Sequence, residues 1–309
     1  MLSRADGGAS DPVATSIEVD GRVLRITNPD RVLWPRTGTR KRDLLAYDLA
    51  IAPVLLPHIT GRGLTLGRWP GGVEAKGWLQ AECRGRPPWL RVEHSRSRRT
   101  GGEFDYCVVD DRAGLAWLVG LGTIELHPFP STVDRRGEPS FVVFDLDPMA
   151  PATVVDAARV ALALRRRLDA QGLASYPKTS GLHGLHVFVP IANGATFEVT
   201  KAFARSIAAE LALEDPGVTD RMTRRVTRAG FVLVDWLQND PTRSTVAAYS
   251  PRAAAVPLVS TPVTWSEIAD AAKGGDRRAL LFDMTAVLDR VDRLGDLFAP
   301  TLAPGPALP

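Results

Sequence analysis

The segment Phe141-Val142-Val143-Phe144-Asp145-Leu146-Asp147-Pro148 combines a strongly apolar run with two closely spaced acids. Valine and phenylalanine at four successive positions favour a buried β-strand, and the proline that follows predicts the end of that strand. Side chains alternate between the two faces of a strand, so Asp145 and Asp147 are predicted to share one face. The apolar residues that alternate with these acids are then expected to face a core.

Predicted strands and helices alternate along the chain on both sides of this segment. The predicted elements, in chain order, are a strand at 22–27, a helix capped by Thr39, a helix at 111–119, a strand at 124–127, a helix at 152–171 closed by Gly172, a strand at 185–189, a helix from Thr200 and a strand at 231–236. Strands separated by helices imply mixed sheets with helices packed on them. We therefore predict an α+β fold, arranged as two lobes around a cleft.

The two ends of the chain differ in composition from the middle. Residues 1–15 are polar and rich in glycine, and residues 298–309 are rich in proline and alanine. Segments with these compositions carry too few large apolar side chains to build a core, so we expect both to be tails. The sequence therefore predicts one domain over residues 16–297.

The composition is that of an ordinary globular protein and argues against a membrane protein. Apolar residues make up 45% of the 309 residues. No uninterrupted apolar run approaches the roughly 18 residues that a membrane span needs, and the N-terminus lacks the pattern of a secretory signal. Cys83 and Cys107 are the two cysteines, and their spacing is not that of metal ligands. We therefore expect a reducing, cytoplasmic location and no disulfide framework.

Positive charge is concentrated in three segments, although the formal net charge is only +3. Arginine and lysine cluster at residues 36–42, 84–99 and 221–228. Focused positive patches attract polyanions, and three of them in one chain favour nucleic acid as a partner. Each segment taken alone is equally typical of a solvated loop.

Asp145, Asp147 and Asp235 form the candidate catalytic centre. Adjacent carboxylates repel each other, and ionised groups beside an apolar sheet are costly unless a cation compensates them. Mg²⁺ or Mn²⁺ suits such a site because these ions prefer oxygen ligands. Three strand-borne acids can bridge two ions, which align the attacking and leaving oxygens in phosphoryl transfer. An Asp-x-Asp pair also occurs as surface acids at a strand end and in sugar-nucleotide transferases, so it does not define the reaction alone.

The turn at 180–186, Ser-Gly-Leu-His-Gly-Leu-His, is a candidate phosphate-binding segment. Its glycines permit a turn whose backbone N–H groups converge on phosphate oxygens, and Ser180 adds a hydroxyl. The His186 ring can face the acids from the following strand, although a histidine in a sheet is often structural. A zinc site on His183 and His186 is disfavoured because no third ligand lies nearby in the sequence. Arginines around the Asp235 strand would neutralise a triphosphate, namely Arg228, Arg243 and Arg252.

Taken together, these motifs resemble the polymerase domain of the bacterial end-joining DNA ligase D, which belongs to the archaeo-eukaryotic primase superfamily. The resemblance extends from about Ile17 to Leu297 and rests on several motifs in family order. These motifs are Asn-Pro-Asp-Arg-Val-Leu-Trp-Pro-Arg-Thr-Gly-Thr-Arg-Lys at 28–41, Phe-Asp-Leu-Asp-Pro at 144–148, Thr-Ser-Gly-Leu-His-Gly-Leu-His at 179–186, Val-Asp-Trp at 234–236 and Tyr-Ser-Pro-Arg at 249–252. The resemblance implies a catalytic core of the archaeo-eukaryotic primase type.

The resemblance also implies a template-directed nucleotidyltransferase that uses two metal ions, preferably Mn²⁺, and prefers ribonucleotides. It assigns the metals to Asp145, Asp147 and Asp235. It assigns the incoming nucleoside triphosphate to the surroundings of His127, Ser180, His183, His186, Arg228 and Arg252. It assigns a 5′-phosphate at a DNA gap or break to Arg31 and Lys41, and stacking on the template to Trp78.

Several positions depart from the family pattern, and one of them is Gln80, which lies in a region where the family tends to have an acid. Trp78-Leu79 stands where the family usually has two phenylalanines that stack on the template, so one aromatic platform is kept. Arg31 matches a family lysine, which keeps the charge and changes its geometry. His183 stands where the family often has lysine, which replaces a permanent charge by an ionisable imidazole.

The resemblance also implies partners and a pathway. The expected substrates are nucleoside triphosphates and gapped or broken DNA with a 5′-phosphate, and the expected partners are a DNA ligase and end-binding repair proteins at the nucleoid. Since no ligase or nuclease module follows, we expect a stand-alone relative or an excised domain, acting in end joining or in excision-repair gap filling. An alternative from another class is a DNA end- or gap-binding module with weak or vestigial catalysis. The intact set of Asp235, Ser180 and His186 favours the enzyme.

Overall fold

Fourteen strands and six α-helices form the described part of the chain, residues 14–96, 101–221, 229–276 and 278–309 of a computed structural model. The strands are β1 (Ala14–Val19), β2 (Arg22–Thr27), β3 (Val32–Trp34), β4 (Thr39–Arg40), β5 (Gly63–Arg68), β6 (Trp78–Gln80), β7 (Val92–Arg96), β8 (Glu103–Val108), β9 (Thr123–Pro128), β10 (Phe141–Pro148), β11 (Tyr176–Thr179), β12 (Leu185–Pro190), β13 (Val218–Thr219) and β14 (Val232–Asp235). The α-helices are α1 (Lys41–Ile59), α2 (Arg112–Gly120), α3 (Val154–Ala170), α4 (Phe197–Glu214), α5 (Trp265–Gly274) and α6 (Met284–Leu294). The α+β prediction is confirmed.

β10 is the central strand of a five-stranded sheet with the order β11-β12-β10-β14-β13. It pairs antiparallel with both β12 and β14, whereas β13 and β14 are parallel. Val142, Phe144 and Leu146 are fully buried in a core that they form with α3, α4 and α5. Because side chains alternate along a strand, Asp145 and Asp147 lie on the opposite face of the sheet, as the sequence predicts.

α3 covers this sheet and begins at a capping box. The Thr153 Oγ1 atom accepts a hydrogen bond from the Val155 N–H group (3.3 Å), and the Thr153 N–H group donates to Asp156 Oδ2 (2.8 Å). These contacts satisfy N–H groups that have no partner within the first turn of a helix. Gly172 follows the helix with a φ of 72°, a conformation that glycine adopts without steric cost, so the predicted stop is confirmed.

The second five-stranded sheet has the order β6-β5-β8-β7, and β9 also pairs with β5. Its core is formed with α1 and extends to Val143 and Phe188, which lie on the reverse face of the first sheet. The two sheets therefore share an apolar layer through β10 and β12. The face that carries Asp145 is turned towards the second sheet, which is the predicted arrangement of two lobes around one site.

The segment 245–262 connects the two sheets. The Ala247 N–H group donates to the Leu126 carbonyl of β9 (2.8 Å), and the Thr179 N–H group of β11 donates to the Thr261 carbonyl (2.8 Å). Because this connecting segment hydrogen-bonds to both sheets, it sets their relative position beside the acids.

Two helix starts differ from the prediction. Thr39 lies in β4, and α1 begins at Lys41 after Arg40 as its N-cap residue. α4 begins at Phe197 rather than at Thr200, because Thr196 Oγ1 accepts a hydrogen bond from the Val199 N–H group (3.4 Å) and starts the helix one turn earlier.

None of the described helices has the length and hydropathy needed to cross a membrane.

The two ends of the chain differ from the expected tails. β1 already begins at Ala14, within the range 1–15, and residues 1–13 lie outside the described residues. Near the C-terminus, Phe298 is buried in the core of the second sheet, and the Ala192 N–H group donates to the Pro306 carbonyl (2.9 Å). A proline-rich segment lacks N–H donors, but its carbonyl groups still accept hydrogen bonds, so residues 298–309 pack on the protein despite their composition.

Cys83 and Cys107 form a disulfide, which corrects the expectation of none. Cys83 follows β6 and Cys107 lies in β8, with their Cα atoms 4.9 Å apart. The Cys83 N–H group also donates to the Asp105 carbonyl (2.7 Å). The pairing depends on which strands adjoin in the sheet, and the 24-residue separation along the chain carries no signal of it.

Reduction of this disulfide is expected to destabilise the protein. Closing a loop across 24 residues lowers the conformational entropy of the unfolded chain, which stabilises the folded state by about 3 kcal/mol. Dithiothreitol should therefore lower the midpoint of chemical unfolding of the wild type and leave a Cys83→Ser/Cys107→Ser variant unchanged. Equal wild-type midpoints with and without reductant would show that the two thiols are not joined in solution.

Candidate active site

Asp145 and Asp235 lie directly opposite each other on the paired strands β10 and β14. Asp147 is two residues farther along β10, on the same face. The Gln238 Nε2 atom is 3.5 Å from Asp145 Oδ2 and 3.4 Å from Asp235 Oδ2, so one side-chain amide spans both carboxylates. The structure therefore brings the three predicted acids to one end of the sheet.

The electrostatics of these acids fit a divalent cation. Burial raises the pKa of Asp145 to about 6, although the charges of Lys178 and Arg252 oppose the shift. Burial and the charge of Asp145 raise the pKa of Asp235. The buried Asp145 Oδ1 atom has no hydrogen-bond partner. A bound cation would compensate both the repulsion and the unsatisfied oxygen.

The acids are not yet arranged as a closed metal site. Within the described ranges of the chain, no group of three or more His, Cys, Asp or Glu side chains has the geometry that holds a metal ion. The Gln238 amide instead lies between Asp145 and Asp235. The donor set of oxygen atoms nevertheless matches the preference of Mg²⁺ and Mn²⁺.

Asn239 holds the turn after β14 against β10. Its Oδ1 atom accepts a hydrogen bond from the Val143 N–H group (2.8 Å), and its Nδ2 atom donates to the Val143 carbonyl (2.7 Å). The side-chain amide thereby continues the pairing of the two strands beyond Asp235, where β14 ends. The sequence indicated only a polar turn at this position, and the positioning role was missed.

The turn at 180–186 is closed by its own serine. Ser180 Oγ accepts hydrogen bonds from the N–H groups of Leu182 (3.2 Å) and Gly184 (3.0 Å). These two N–H groups are therefore used within the turn and do not point at an external phosphate, which corrects the prediction. The physical reason is that a serine hydroxyl competes for nearby backbone donors. The proton of that hydroxyl is left for donation to a ligand.

Two glycines allow this turn to pass close to its neighbours. Gly181 has a φ of 74°, and a Cβ atom at this position would lie 2.6 Å from Arg252 Cγ. A Cβ atom at Gly184 would lie 2.5 Å from the Leu146 carbonyl oxygen and 3.2 Å from Asp147 Oδ1. Glycine at both positions therefore keeps Ser180 between Arg252 and β10.

Glu125 connects residues that the sequence assigned to the nucleotide. Its Oε2 atom is 2.9 Å from His127 Nε2, and its Oε1 atom accepts hydrogen bonds from Arg252 Nε (3.0 Å) and the Ala253 N–H group (2.9 Å). Arg252 Nη1 also donates to the Ser180 carbonyl (2.7 Å). These contacts bring His127, Ser180 and Arg252 together. An acid two residues before His127 on a strand was the available signal for Glu125.

The charge of Glu125 is held by its neighbours. Burial by itself would raise the pKa of Glu125, but the hydrogen bond from His127 and the charge of Arg252 lower it to about 2. The carboxylate is therefore ionised at every physiological pH. Burial lowers the pKa of His127, although Glu125 opposes that shift.

His186 lies between Asp145 and a buried lysine that the sequence analysis missed. The His186 Nε2 atom is 3.3 Å from Asp145 Oδ1, and Nδ1 is 2.9 Å from Lys178 Nζ. Burial and the charge of Lys178 lower the pKa of His186 well below its ordinary value. The prediction that the His186 ring faces the acids is confirmed in its geometry.

Arg31 and Lys41 are brought together by the hairpin of β3 and β4. The Lys41 N–H group donates to the Arg31 carbonyl (2.9 Å). The Lys41 side chain is only 4% exposed, and its Nζ atom donates to the carbonyls of Thr27 (2.9 Å) and Gly120 (3.2 Å). Burial and the charges of Arg31 and Arg68 lower the pKa of Lys41. Arg31 is exposed, so the pair consists of one surface cation and one buried cation.

The remaining predicted residues lie around this centre. Trp78 is 44% exposed on β6, and the Arg68 guanidinium lies 5.2 Å from the centre of its ring. His183 is exposed at the tip of the turn, and Arg243 is exposed after β14. Arg228 and most of the basic segment 221–228 lie outside the described residues.

Comparison with known proteins shows the family to which the chain belongs. A family model described as "LigD, primase-polymerase domain" matches residues 40–298. The chain belongs to this family. The matched range contains the three acids and Lys41, whereas Arg31 precedes it.

Individual LigD relatives show how much of each protein is shared. The multifunctional non-homologous end joining protein LigD of Mycolicibacterium smegmatis is 37% identical over 286 residues, which covers 92% of this chain and 36% of that protein. The bifunctional non-homologous end joining protein LigD of Bacillus subtilis is 28% identical over 276 residues, which covers 88% of this chain and 43% of that protein. The chain thus spans between a third and a half of these LigD proteins.

A solved LigD structure matches nearly the whole fold. The polymerase domain from Mycobacterium tuberculosis ligase D, in complex with DNA, superposes with a TM-score of 0.82 at 34% sequence identity. The match covers 90% of this chain and 98% of that domain. The resemblance drawn from the motifs is confirmed, and with it the primase-type α+β fold.

The substitution Glu125→Gln is expected to weaken nucleotide binding by this LigD-type site. Glutamine keeps the size of the side chain but removes the charge that holds Arg252, and its NH₂ group cannot accept a hydrogen bond. Losing hydrogen bonds to a charged group costs about 1.5–3 kcal/mol, so the Kd for a nucleoside triphosphate with Mn²⁺ should rise about ten-fold or more. Isothermal titration calorimetry measures this change.

The matched control for this experiment is Glu103→Gln, which changes an exposed glutamate of β8 in the same sheet. Its Kd should equal that of the wild type. An unchanged Kd for Glu125→Gln would show that Glu125 does not organise a nucleotide site.

Proposed function

We propose that this chain is a template-directed nucleotidyltransferase that adds nucleotides at DNA gaps or breaks with a 5′-phosphate during DNA repair. The observation that carries the proposal is the opposition of Asp145 and Asp235 beside His127, Ser180 and Arg252. Membership in the LigD primase-polymerase family supports the reaction. The DNA in the structure of the M. tuberculosis polymerase domain supports the substrate.

Asp145, Asp147 and Asp235 are the residues that would hold divalent metal. Two Mn²⁺ or Mg²⁺ ions, when bound, would neutralise the negative charge that develops on the reacting phosphate. The pKa of Asp145, which burial raises to about 6, and its unsatisfied Oδ1 atom support this assignment, because a bound cation would favour the ionised carboxylate and contact that oxygen.

The side chains around the acids would bind the triphosphate. Arg252 supplies a fixed positive charge, the Ser180 hydroxyl donates a hydrogen bond to a phosphate oxygen, and His127 and His186 line the same side. These contacts hold the α-phosphate in line while the primer 3′ oxygen forms a bond to phosphorus and pyrophosphate leaves. His183, at the exposed tip of the turn, and Arg228 complete the proposed set.

The DNA-facing residues would recognise the substrate. A terminal phosphate carries more negative charge than an internal one, and Arg31 above Lys41 concentrates positive charge at one place. Trp78, exposed on β6, offers a flat apolar surface for a template base. Arginine in the segments 36–42 and 84–99 would add affinity for the DNA backbone.

We extend the proposal to ribonucleotides as the preferred substrates and to a cytoplasmic, nucleoid-associated location. The names of the LigD relatives favour end joining over excision-repair gap filling. A DNA ligase and end-binding repair proteins are the proposed partners.

A second candidate is a DNA end- or gap-binding module with vestigial catalysis. The Gln238 amide between Asp145 and Asp235 is the observation that favours it, because this amide donates to one oxygen of each acid in the absence of metal. The two candidates differ in whether the acids are needed for a reaction.

Asp145→Ala, Asp147→Ala and Asp235→Ala are each expected to abolish nucleotide addition and to leave DNA binding largely intact. Metal ligands act on the transition state, whereas arginine and lysine contacts with phosphates supply most of the affinity for DNA. The assay is extension of a gapped duplex with a 5′-phosphate in Mn²⁺, with labelled ribonucleotides and deoxyribonucleotides compared in parallel. More efficient use of ribonucleotides is expected.

The control variant is Asp270→Ala, in the exposed face of α5, which should extend like the wild type. Near-normal extension by one of the three variants removes that residue from the metal site. DNA binding without extension by the wild type favours the vestigial module.

Arg31→Ala and Lys41→Ala are expected to impair binding mainly for gaps that carry a 5′-phosphate. Loss of a charged hydrogen bond to the terminal phosphate should weaken binding about ten-fold, and a gap with a 5′-hydroxyl should be nearly unaffected. The measurement compares wild type and variants on both gaps at one salt concentration. Thermal unfolding accompanies it, because Lys41 also contacts two carbonyl groups in the fold.

Arg25→Ala, an exposed arginine of β2 in the same region, is the matched control and should weaken both gaps equally and slightly. Equal losses on both gaps for the Arg31 and Lys41 variants would indicate a general basic surface and no dedicated phosphate site.

A further inference from the structure

Lys178 is a fully buried lysine that makes no contact with substrate in the proposed reaction. It lies in β11, directly opposite His186 of β12, and its side chain is 0% exposed. Its Nζ atom is 2.9 Å from His186 Nδ1 and 2.7 Å from Ser260 Oγ. Its Nζ atom also lies 5.6 Å from the centre of the Phe188 ring. Contacts from β12 and from the connecting segment 245–262 therefore hold this amino group in one place.

The directions of these hydrogen bonds follow from the donors available. The Ser260 hydroxyl donates its single proton to the Thr179 carbonyl (2.8 Å), so its oxygen must accept from Lys178. An ammonium group has three donors and no acceptor. Burial lowers the pKa of Lys178, and the charge of Asp145 opposes that shift. In its ammonium form Lys178 donates to His186 Nδ1 as well, and that ring nitrogen then carries no proton.

The consequence falls on the other nitrogen of the ring. A neutral imidazole carries one proton, so an unprotonated Nδ1 atom leaves that proton on Nε2. Nε2 is the atom that lies 3.3 Å from Asp145 Oδ1, although the two atoms do not form a hydrogen bond in this geometry. Ionised phosphate and carboxylate oxygens only accept hydrogen bonds. A neutral histidine can therefore donate to them only when its proton is on the nitrogen that faces them.

We propose that Lys178 is a positioning residue that fixes His186 in the Nε2–H tautomer and thereby places this donor beside Asp145 and the triphosphate. The catalytic consequence rests on the proposed function, whereas the tautomer is a property of the folded protein alone. Ser260 contributes to the same arrangement, because its hydroxyl oxygen in the connecting segment accepts a hydrogen bond from Lys178 Nζ and holds that group in place. The arrangement resembles the way in which an outer partner sets the tautomer of a catalytic or metal-binding histidine.

The direct test is nitrogen-15 NMR of protein labelled at its five histidines. The His186→Ala variant identifies the His186 signals. In the wild type, His186 should show an unprotonated Nδ1 atom and a protonated Nε2 atom. In Lys178→Met, these signals should move towards a mixture of tautomers, because Nδ1 has lost its donor.

Lys273→Met, which changes an exposed lysine at the end of α5, is the matched control and should leave the His186 signals unchanged. A protonated Nδ1 atom in the wild type, or unchanged signals in folded Lys178→Met, would overturn the proposal. If Lys178→Met does not fold, Ser260→Ala removes the anchor and keeps the lysine, and the wild-type spectrum alone still decides.

Kinetics separate positioning from simple structural support. Lys178→Met should lower kcat/KM for nucleotide addition by about 10- to 100-fold, as substitutions of such outer partners do. Because Lys178 acts through His186, the double variant with His186→Ala should lose no more than His186→Ala alone. Additive losses would assign Lys178 to the stability of the core and contradict the proposal. The NMR result does not require activity, so a failure of the proposed function is distinguished from a failure of this inference.

Discussion

The repulsion between Asp145 and Asp235, directly opposite each other on β10 and β14, is the constraint around which the site is built. Burial raises the pKa of both carboxyl groups, and the charge of Asp145 raises that of Asp235 further. Hydrogen bonds and positive charges reduce this repulsion. The Gln238 amide lies between the two acids, and the Leu237 N–H group donates to Asp235 Oδ1 (2.8 Å). The charges of Lys178 and Arg252 lower the pKa of Asp145. These partners keep two acids ionisable beside a buried sheet.

The surrounding donors are organised by two buried charges of opposite sign. Glu125 holds His127 and Arg252, and Lys178 holds His186. Each buried charge has hydrogen-bonding partners, which removes most of the penalty of its desolvation. Side chains held in this way lose little conformational freedom when a ligand binds, so the geometry is prepared before the ligand arrives.

The surface proposed to meet DNA is supported by strands at the edge of the second sheet. β6 pairs with β5 and carries Trp78 and Leu79, both exposed. An edge strand has neighbours on one side only, and here the Cys83–Cys107 disulfide ties the chain just after β6 to β8. The strand that carries Trp78 is therefore held both by its pairing with β5 and by the disulfide that follows it.

The sequence by itself determined the elements whose signals are local. Alternation along 141–148 predicted that Asp145 and Asp147 share a face, and motifs in family order identified Asp235, Ser180 and His186. Its expectations on the cysteines, on the turn amides at 180–186 and on the C-terminal segment were overturned. Only the tertiary structure revealed Glu125, Lys178, Asn239 and the Cys83–Cys107 pair. Their partners lie far away in the chain or across a strand pair, as with Glu125 and Arg252, which are 127 residues apart. Periodicity and propensity reflect interactions among near neighbours, whereas these contacts depend on which strands adjoin, and that is decided by the packing of the whole fold.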